Sequence, residues 1–192
     1  MRVSREKAAE SRQRILDAAT GLFRARGFGD VGVAEVMKAA DLTHGGFYGH
    51  FESKEDLVAQ ACRRSTGRAA ENWSRVVAGA SDKPYVALLD HYLSPRHRDD
   101  PGKGCAFAAL SGDAARCGKS VRHAFAEGLE PLIGILARSL PGRSPAARRR
   151  KALAAMAELV GALVLARAVD DASLSDEILE AARRELSAVA ES

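Results

Sequence analysis

Cysteine is scarce in this sequence and does not pair. Cys62, Cys105 and Cys117 are the only three, an odd number at no recurring spacing. That pattern suits a reducing compartment better than a disulfide framework. The histidines fall at no spacing from these cysteines that would build a zinc site, so no metal and no cofactor are expected. Aromatics make up only 5% of the chain and prolines number 6, too few prolines to interrupt long helices. No stretch approaches the roughly 18 consecutive apolar residues of a membrane-spanning helix. The opening MRVSREKAAESRQR is basic but lacks an apolar segment, so it does not read as a secretory signal, and a cytoplasmic location is expected. Internal repeats and low-complexity segments are absent too.

What is present is alanine and leucine. At 192 residues and 46% hydrophobic content, the chain can bury a core of useful size in one or two domains. Many Ala and Leu with few aromatics point to an all-α fold. A net charge of +4 and a pI near 9.1 permit nucleic-acid binding without demanding it.

The chain is organised around residues 33–56, VAEVMKAADLTHGGFYGHFESKED. Val33, Val36, Met37 and Ala40 recur at helical spacing and give one apolar stripe. Asp41, Leu42 and Thr43 break it, and Thr43 is placed to cap a second short helix through its hydroxyl. Phe47 and Phe51, four apart, set two rings on the face that meets the first helix. The other face carries Thr43, Gly45, Tyr48 and Gly49, with His50 near its end. Ser53 caps a long helix whose first turn is Lys54, Glu55 and Asp56. Gly45, Gly46 and Gly49 crowd the second helix, each costing roughly 1 kcal/mol against alanine. Its neighbours must therefore hold it, and exposed glycine lets another surface approach the backbone. A DNA groove is such a surface. A short connector helix inside an ordinary all-α protein is the other reading, and glycine alone does not separate them.

The run GFGDVGVAEVMKAADLTHGGFYGHFESKEDL resembles the N-terminal domain of TetR/AcrR-type transcriptional regulators, closely over Ser11 to Leu57. The phrase Phe47-Tyr48-x-His50-Phe51-x-Ser53-Lys54-x-x-Leu57 is its most specific part. The resemblance implies that Thr43 to His50 enter the major groove and that Tyr48, His50 and Lys54 hold phosphates. It also implies a homodimer, built through the last two helices. Two positions depart from the family pattern. Gly32 replaces the usual Thr or Ser cap of the first helix of the motif, and Gly46 replaces a longer side chain. With Gly45 beside it, few side chains reach base edges. Thr43 and His44 remain for direct readout, and DNA shape takes more of the specificity.

Elsewhere the pattern is helical. Arg2, Arg5, Lys7, Arg12 and Arg14 form a basic arm, either a solvated tail or an added phosphate contact. Ile15, Leu16, Ala19, Leu22 and Phe23 form a stripe that Gly27 ends. A long helix runs from Ser53 to about Val77, with the domain boundary near Asp56. Pro84 starts the next helix, and 94–104 is polar and rich in breakers, a loop. Helices are expected over 120–140, where Pro131 should kink or break the bonding, over 145–169 and over 176–190. The 145–169 segment is apolar over so much of its surface that it wants a second partner. The basic run 148–151 reads as a solvated face.

Trp73, Tyr92, Cys105, Phe107, Leu110 and Phe125 are the candidate lining of an apolar ligand pocket, with plain core packing as the alternative. Cys105, at a helix start near Lys103, is either a reactive thiol or a small buried hydrophobe.

The expected architecture is thus all-α. An N-terminal three-helix helix-turn-helix DNA-binding domain (1–56) joins a C-terminal helical ligand-binding and dimerisation domain (57–192). The expected function is a transcriptional regulator, not an enzyme. It would repress from a near-palindromic double-stranded operator and be released by a small apolar or thiol-reactive effector. Its rivals are a helical protein-interaction scaffold and an all-α enzyme using Cys105 with His123 or His91.

Overall fold

The structure, a computed structural model, describes residues 5–80 and 82–190. Arg2 of the basic arm and Ser81 of the turn before Pro84 lie outside them. The described residues are 81% helical and form no strand. Two compact units divide the chain: Met1–Thr66 with Cys105–Gly128, and Gly67–Gly104 with Leu129–Ser192.

The first unit opens with α1 (Arg5–Arg26). Ile15, Leu16, Ala19 and Phe23 bury the expected stripe. Gly27 ends the helix at φ +83°, a left-handed value that favours glycine. Phe28 folds back edge-on to Phe23, ring centroids 5.5 Å apart. Helix α2 (Val33–Ala39) starts on Gly32, which offers no side-chain bond. It buries Val36 and Met37, and Ala40 just after it is buried too. Helix α3 (Lys54–Gly79) starts on Ser53, whose hydroxyl accepts from the Asp56 amide at 3.1 Å. Arg64 of α3 donates to both carboxylate oxygens of Asp17 at 2.9 Å, tying α3 to α1. Helix α6 (Ala106–Arg116) packs on α1. The first part of α7 (Lys119–Ser139) completes this unit.

In the second unit, Pro84 opens α4 (Pro84–Tyr92). The expected loop at 94–104 contains a short helix, α5 (Pro95–Asp99). Ser94 explains it, since its hydroxyl accepts from the His97 amide at 3.2 Å while Pro95 supplies the first helical φ. Arg167 then caps the far end, donating to the carbonyls of His97 at 2.7 Å and Arg98 at 2.9 Å. Helix α7 does not stop at Pro131. Proline removes one amide from the ladder, but Leu132, Ile133, Ile135 and Leu136 are buried and hold the turn that follows.

Helices α8 (Pro145–Ala168) and α9 (Ala172–Val189) form the most extensive pairing. Helix α9 begins four residues before the expected Asp176, because Asp171 accepts from the amides of Ser173 at 2.8 Å and Leu174 at 3.1 Å. An Asp171→Ala variant should lose about 1 kcal/mol, the usual worth of such a cap. Urea unfolding followed by circular dichroism would check it. In the basic run, Arg149 meets both oxygens of Glu130 at 2.7 and 2.8 Å, and Arg148 donates to the Gly142 carbonyl.

Candidate nucleic-acid interface

The helix-turn-helix is fixed from inside. Phe47 and Phe51 are buried and stack at 5.6 Å between centroids. The Arg12 guanidinium lies 5.0 Å from the centre of the Phe51 ring, a cation–π contact that holds α1 against the motif. Between α2 and the next element the chain makes a left-handed turn at Asp41, φ 55°. The Leu42 amide reaches the Met37 carbonyl and the Asp41 amide the Lys38 carbonyl. This is a Schellman closure with aspartate in the place glycine usually takes. Arg14 pairs with the Asp41 carboxylate at 3.3 Å.

The second helix of the motif departs from the expectation. Residues His44–Gly49 form a 3-10 helix. Thr43 does stand at its N-cap, but its hydroxyl makes no capping bond, so that oxygen is left to an outside partner. The physical reason is composition. Three glycines in a six-residue segment give too little helix propensity to sustain α-helical bonding, and short tight turns are what remains. Open space surrounds Gly45 and Gly49, while Gly46 has only ordinary contacts with Met37 and Thr43. None of the three has a positive φ. The protein's own packing therefore does not require these glycines.

The outward face collects the expected residues. Thr43, His44 and Gly45 are exposed, and Tyr48 is 73% exposed with its ring edge-on to Phe47 at 5.2 Å. His50 and Lys54 are half-buried at the end of this segment and the start of α3. A large aromatic that rests edge-on against Phe47 and is otherwise open is suited to contact, not to packing.

The other six expected residues fall into two groups. Cys105, Phe107, Leu110 and Phe125 are buried in the first unit, where Phe107 meets Phe125 edge-on at 5.3 Å. Trp73 and Tyr92 are buried in the second, edge-on at 5.7 Å. A pocket of about 450 Å³ in the first unit is lined by none of the six; Phe28, Glu55, Val58, Asp113, Cys117 and Val121 are among its walls. Tyr85 is buried, and its hydroxyl has no hydrogen-bond partner among the described residues. Burial, then the charge of Glu158, pushes that phenol up to about 12.

Of the other titrating groups, burial pushes the Cys62 thiol up to about 12. It also raises Cys117, with Asp113 and Glu55 adding to it. His91 bonds Asn72 at 2.8 Å, and burial lowers both His91 and His97. His123 is exposed and meets Glu127 at 3.3 Å. No group of three or more His, Cys, Asp or Glu among the described residues could hold a metal. None of the described helices is long and apolar enough to cross a membrane.

Residues 15–61 match the family model described as bacterial regulatory proteins, tetR family. The uncharacterized helix-turn-helix-type transcriptional regulator TtgW of Pseudomonas putida is 32% identical over 103 residues, spanning 48% of this chain and 70% of that protein. The chain belongs to the TetR family. The regulator AcrR of Shigella flexneri is 37% identical over 70 residues, 36% of this chain and 33% of that protein. Over the first curated relatives the match spans about a third of their length, 33%, 29% and 31%. The reduced form of Escherichia coli NemR shares the fold, with a TM-score of 0.78 at 22% identity over 93% of this chain and 96% of that one. TetR-family proteins are transcriptional regulators that bind operator DNA and small-molecule effectors, usually as homodimers.

Proposed function

We propose that this chain is a homodimeric, cytoplasmic repressor that leaves a near-palindromic operator when a small apolar or thiol-reactive effector binds. The exposed Tyr48, edge-on to the buried Phe47, carries the DNA half of the reading. Residues 1–56 act as the DNA-binding domain and 57–192 as the ligand-binding and dimerisation domain. Thr43 and His44 read base edges, Gly45 lets the groove close on the backbone, and Tyr48, His50 and Lys54 hold phosphates. Two such heads meet half-sites about one helical turn, roughly 34 Å, apart. The relative NemR of Escherichia coli is named as a transcriptional repressor, which supports that direction of control.

The last two helices support the dimer. Leu153, Val164, Leu165 and Leu174 are large apolar residues left exposed on α8 and the start of α9, beside the small Ala154, Ala157 and Ala168. Such a patch marks an interaction surface. The residues proposed to receive the effector are Cys105, Phe107, Leu110 and Phe125 within the first unit, and Trp73 and Tyr92 within the second, each group taken by itself. The effector must bind the DNA-incompetent geometry more tightly, since equal affinity for both shifts nothing.

The test is selection from a random-sequence duplex pool, followed by fluorescence anisotropy on the winning sequence. The expected result is a two-fold symmetric consensus bound far more tightly than competitor DNA, with affinity falling linearly in log–log against salt. Selection that returns no consensus would sink the reading.

A further inference from the structure

We propose that the pocket in the first unit binds a small organic cation, its charged head against Glu55 and its apolar body against Phe28, Val58 and Val121. At about 450 Å³ the pocket lies within the size range of small-molecule sites. It contains none of the residues proposed above for the effector, so it is a second site.

Two acids and two bases line it: Glu55, Asp113, Lys54 and Arg116. A count of signs chooses no ligand, but their commitments do. Asp113 accepts the Phe28 amide on one oxygen at 2.8 Å and Arg116 on the other at 2.7 Å. Arg116 is thereby occupied, and its side chain is 75% exposed to water. Lys54 is the remaining cation, and in the proposed function it engages a phosphate. The Glu55 side chain has no hydrogen bond or ion pair among the described residues. It is the carboxylate of the pocket left to a ligand.

Its position is also specific. The Glu55 carboxylate reaches from α3 onto the backbone of Gly118, so close that a side chain there would strike it. An acid in the first turn of a helix is explained by the helix dipole. Its reach onto the α6–α7 junction is not. The Cys117 thiol on the same wall samples the local field. After burial, Asp113 and Glu55 raise it, each by more than Arg116 or Lys54 lowers it. The Glu55 carboxylate over Gly118 is thus the group of this wall that is free to meet positive charge. Beside apolar surface, a carboxylate attracts a cation more strongly than in open water.

The test is isothermal titration of the full chain with benzyltrimethylammonium, beside benzyl alcohol and phenylacetate as neutral and anionic probes. The cation should bind one per chain with Kd below about 1 mM, and the other two more weakly by about tenfold or more. Glu55→Gln should weaken the cation about tenfold, and Glu55→Lys should abolish it and admit phenylacetate. Glu55 is exposed, so both variants should keep the helical circular dichroism of the wild type. Cation binding that survives Glu55→Lys overturns the proposal. So does equal binding of the three probes, or no cation binding by folded wild type. No step uses DNA, so this result stands or fails apart from operator recognition.

Discussion

Lys54→Ala is expected to weaken operator binding about tenfold and to lower the slope of log affinity against log salt by about 1, the signature of one lost phosphate contact. Tyr48→Ala should cost a similar factor with little change of slope, because it removes a neutral donor. Both losses should be equal on operator and random DNA, since phosphate contacts position the protein without reading sequence. His44→Ala should behave differently, relaxing preference at one base pair while leaving binding to random DNA intact. The effects belong to binding and not to folding. Tyr48 is 73% exposed, and surface changes away from caps and cores usually alter stability by less than about 0.5 kcal/mol. Anisotropy at four salt concentrations, with thermal unfolding alongside, checks each part. A Lys54→Ala protein with unchanged affinity and slope would remove this residue from the interface.

The same region shows what the sequence made legible and what it did not. The outer limits of the motif rest on local chemistry. Gly27 ends α1 and Ser53 starts α3, each within three or four residues of the group it satisfies. The apolar stripe of α2 and the Phe47–Phe51 pair follow from spacing alone. The 3-10 form of His44–Gly49 was less accessible, because it depends on how three weak helix formers compare with the packing around them. The early start of α9 is signalled by Asp171, an N-cap residue that stands ahead of the apolar pattern. The helix at Pro95–Asp99 was signalled in the same way by Ser94. The remaining features were out of reach. Asp113 joins Phe28 across 85 residues, and Glu55 meets Gly118 across a comparable gap. Contacts of that range depend on tertiary packing, which no local pattern records. The candidate ligand residues show the same limit. An apolar residue at helical spacing looks alike whether it lines a cavity or fills a core, and all six are buried.

Leu165→Arg is expected to convert the dimer to monomer and, through that alone, to weaken operator binding by about 10²–10⁴-fold. Leu165 is 57% exposed on α8, so in the isolated chain an arginine there buries no charge and α8–α9 packing should hold. Within a four-helix interface the same guanidinium faces a second apolar surface with no partner, a desolvation cost of several kcal/mol per ion. The loss of DNA affinity follows from linkage. In a dimer the second head meets its half-site at an effective concentration near millimolar, and a monomer forfeits that gain without losing a single contact. Sedimentation velocity at micromolar protein, read beside anisotropy on a full operator and on one half-site, separates the two effects. The half-site should bind wild type and variant with nearly equal microscopic affinity, since the head is untouched. A variant that stays dimeric at micromolar concentration would place the interface on a different surface. The exposed leucines of α8 and α9 would then need another partner.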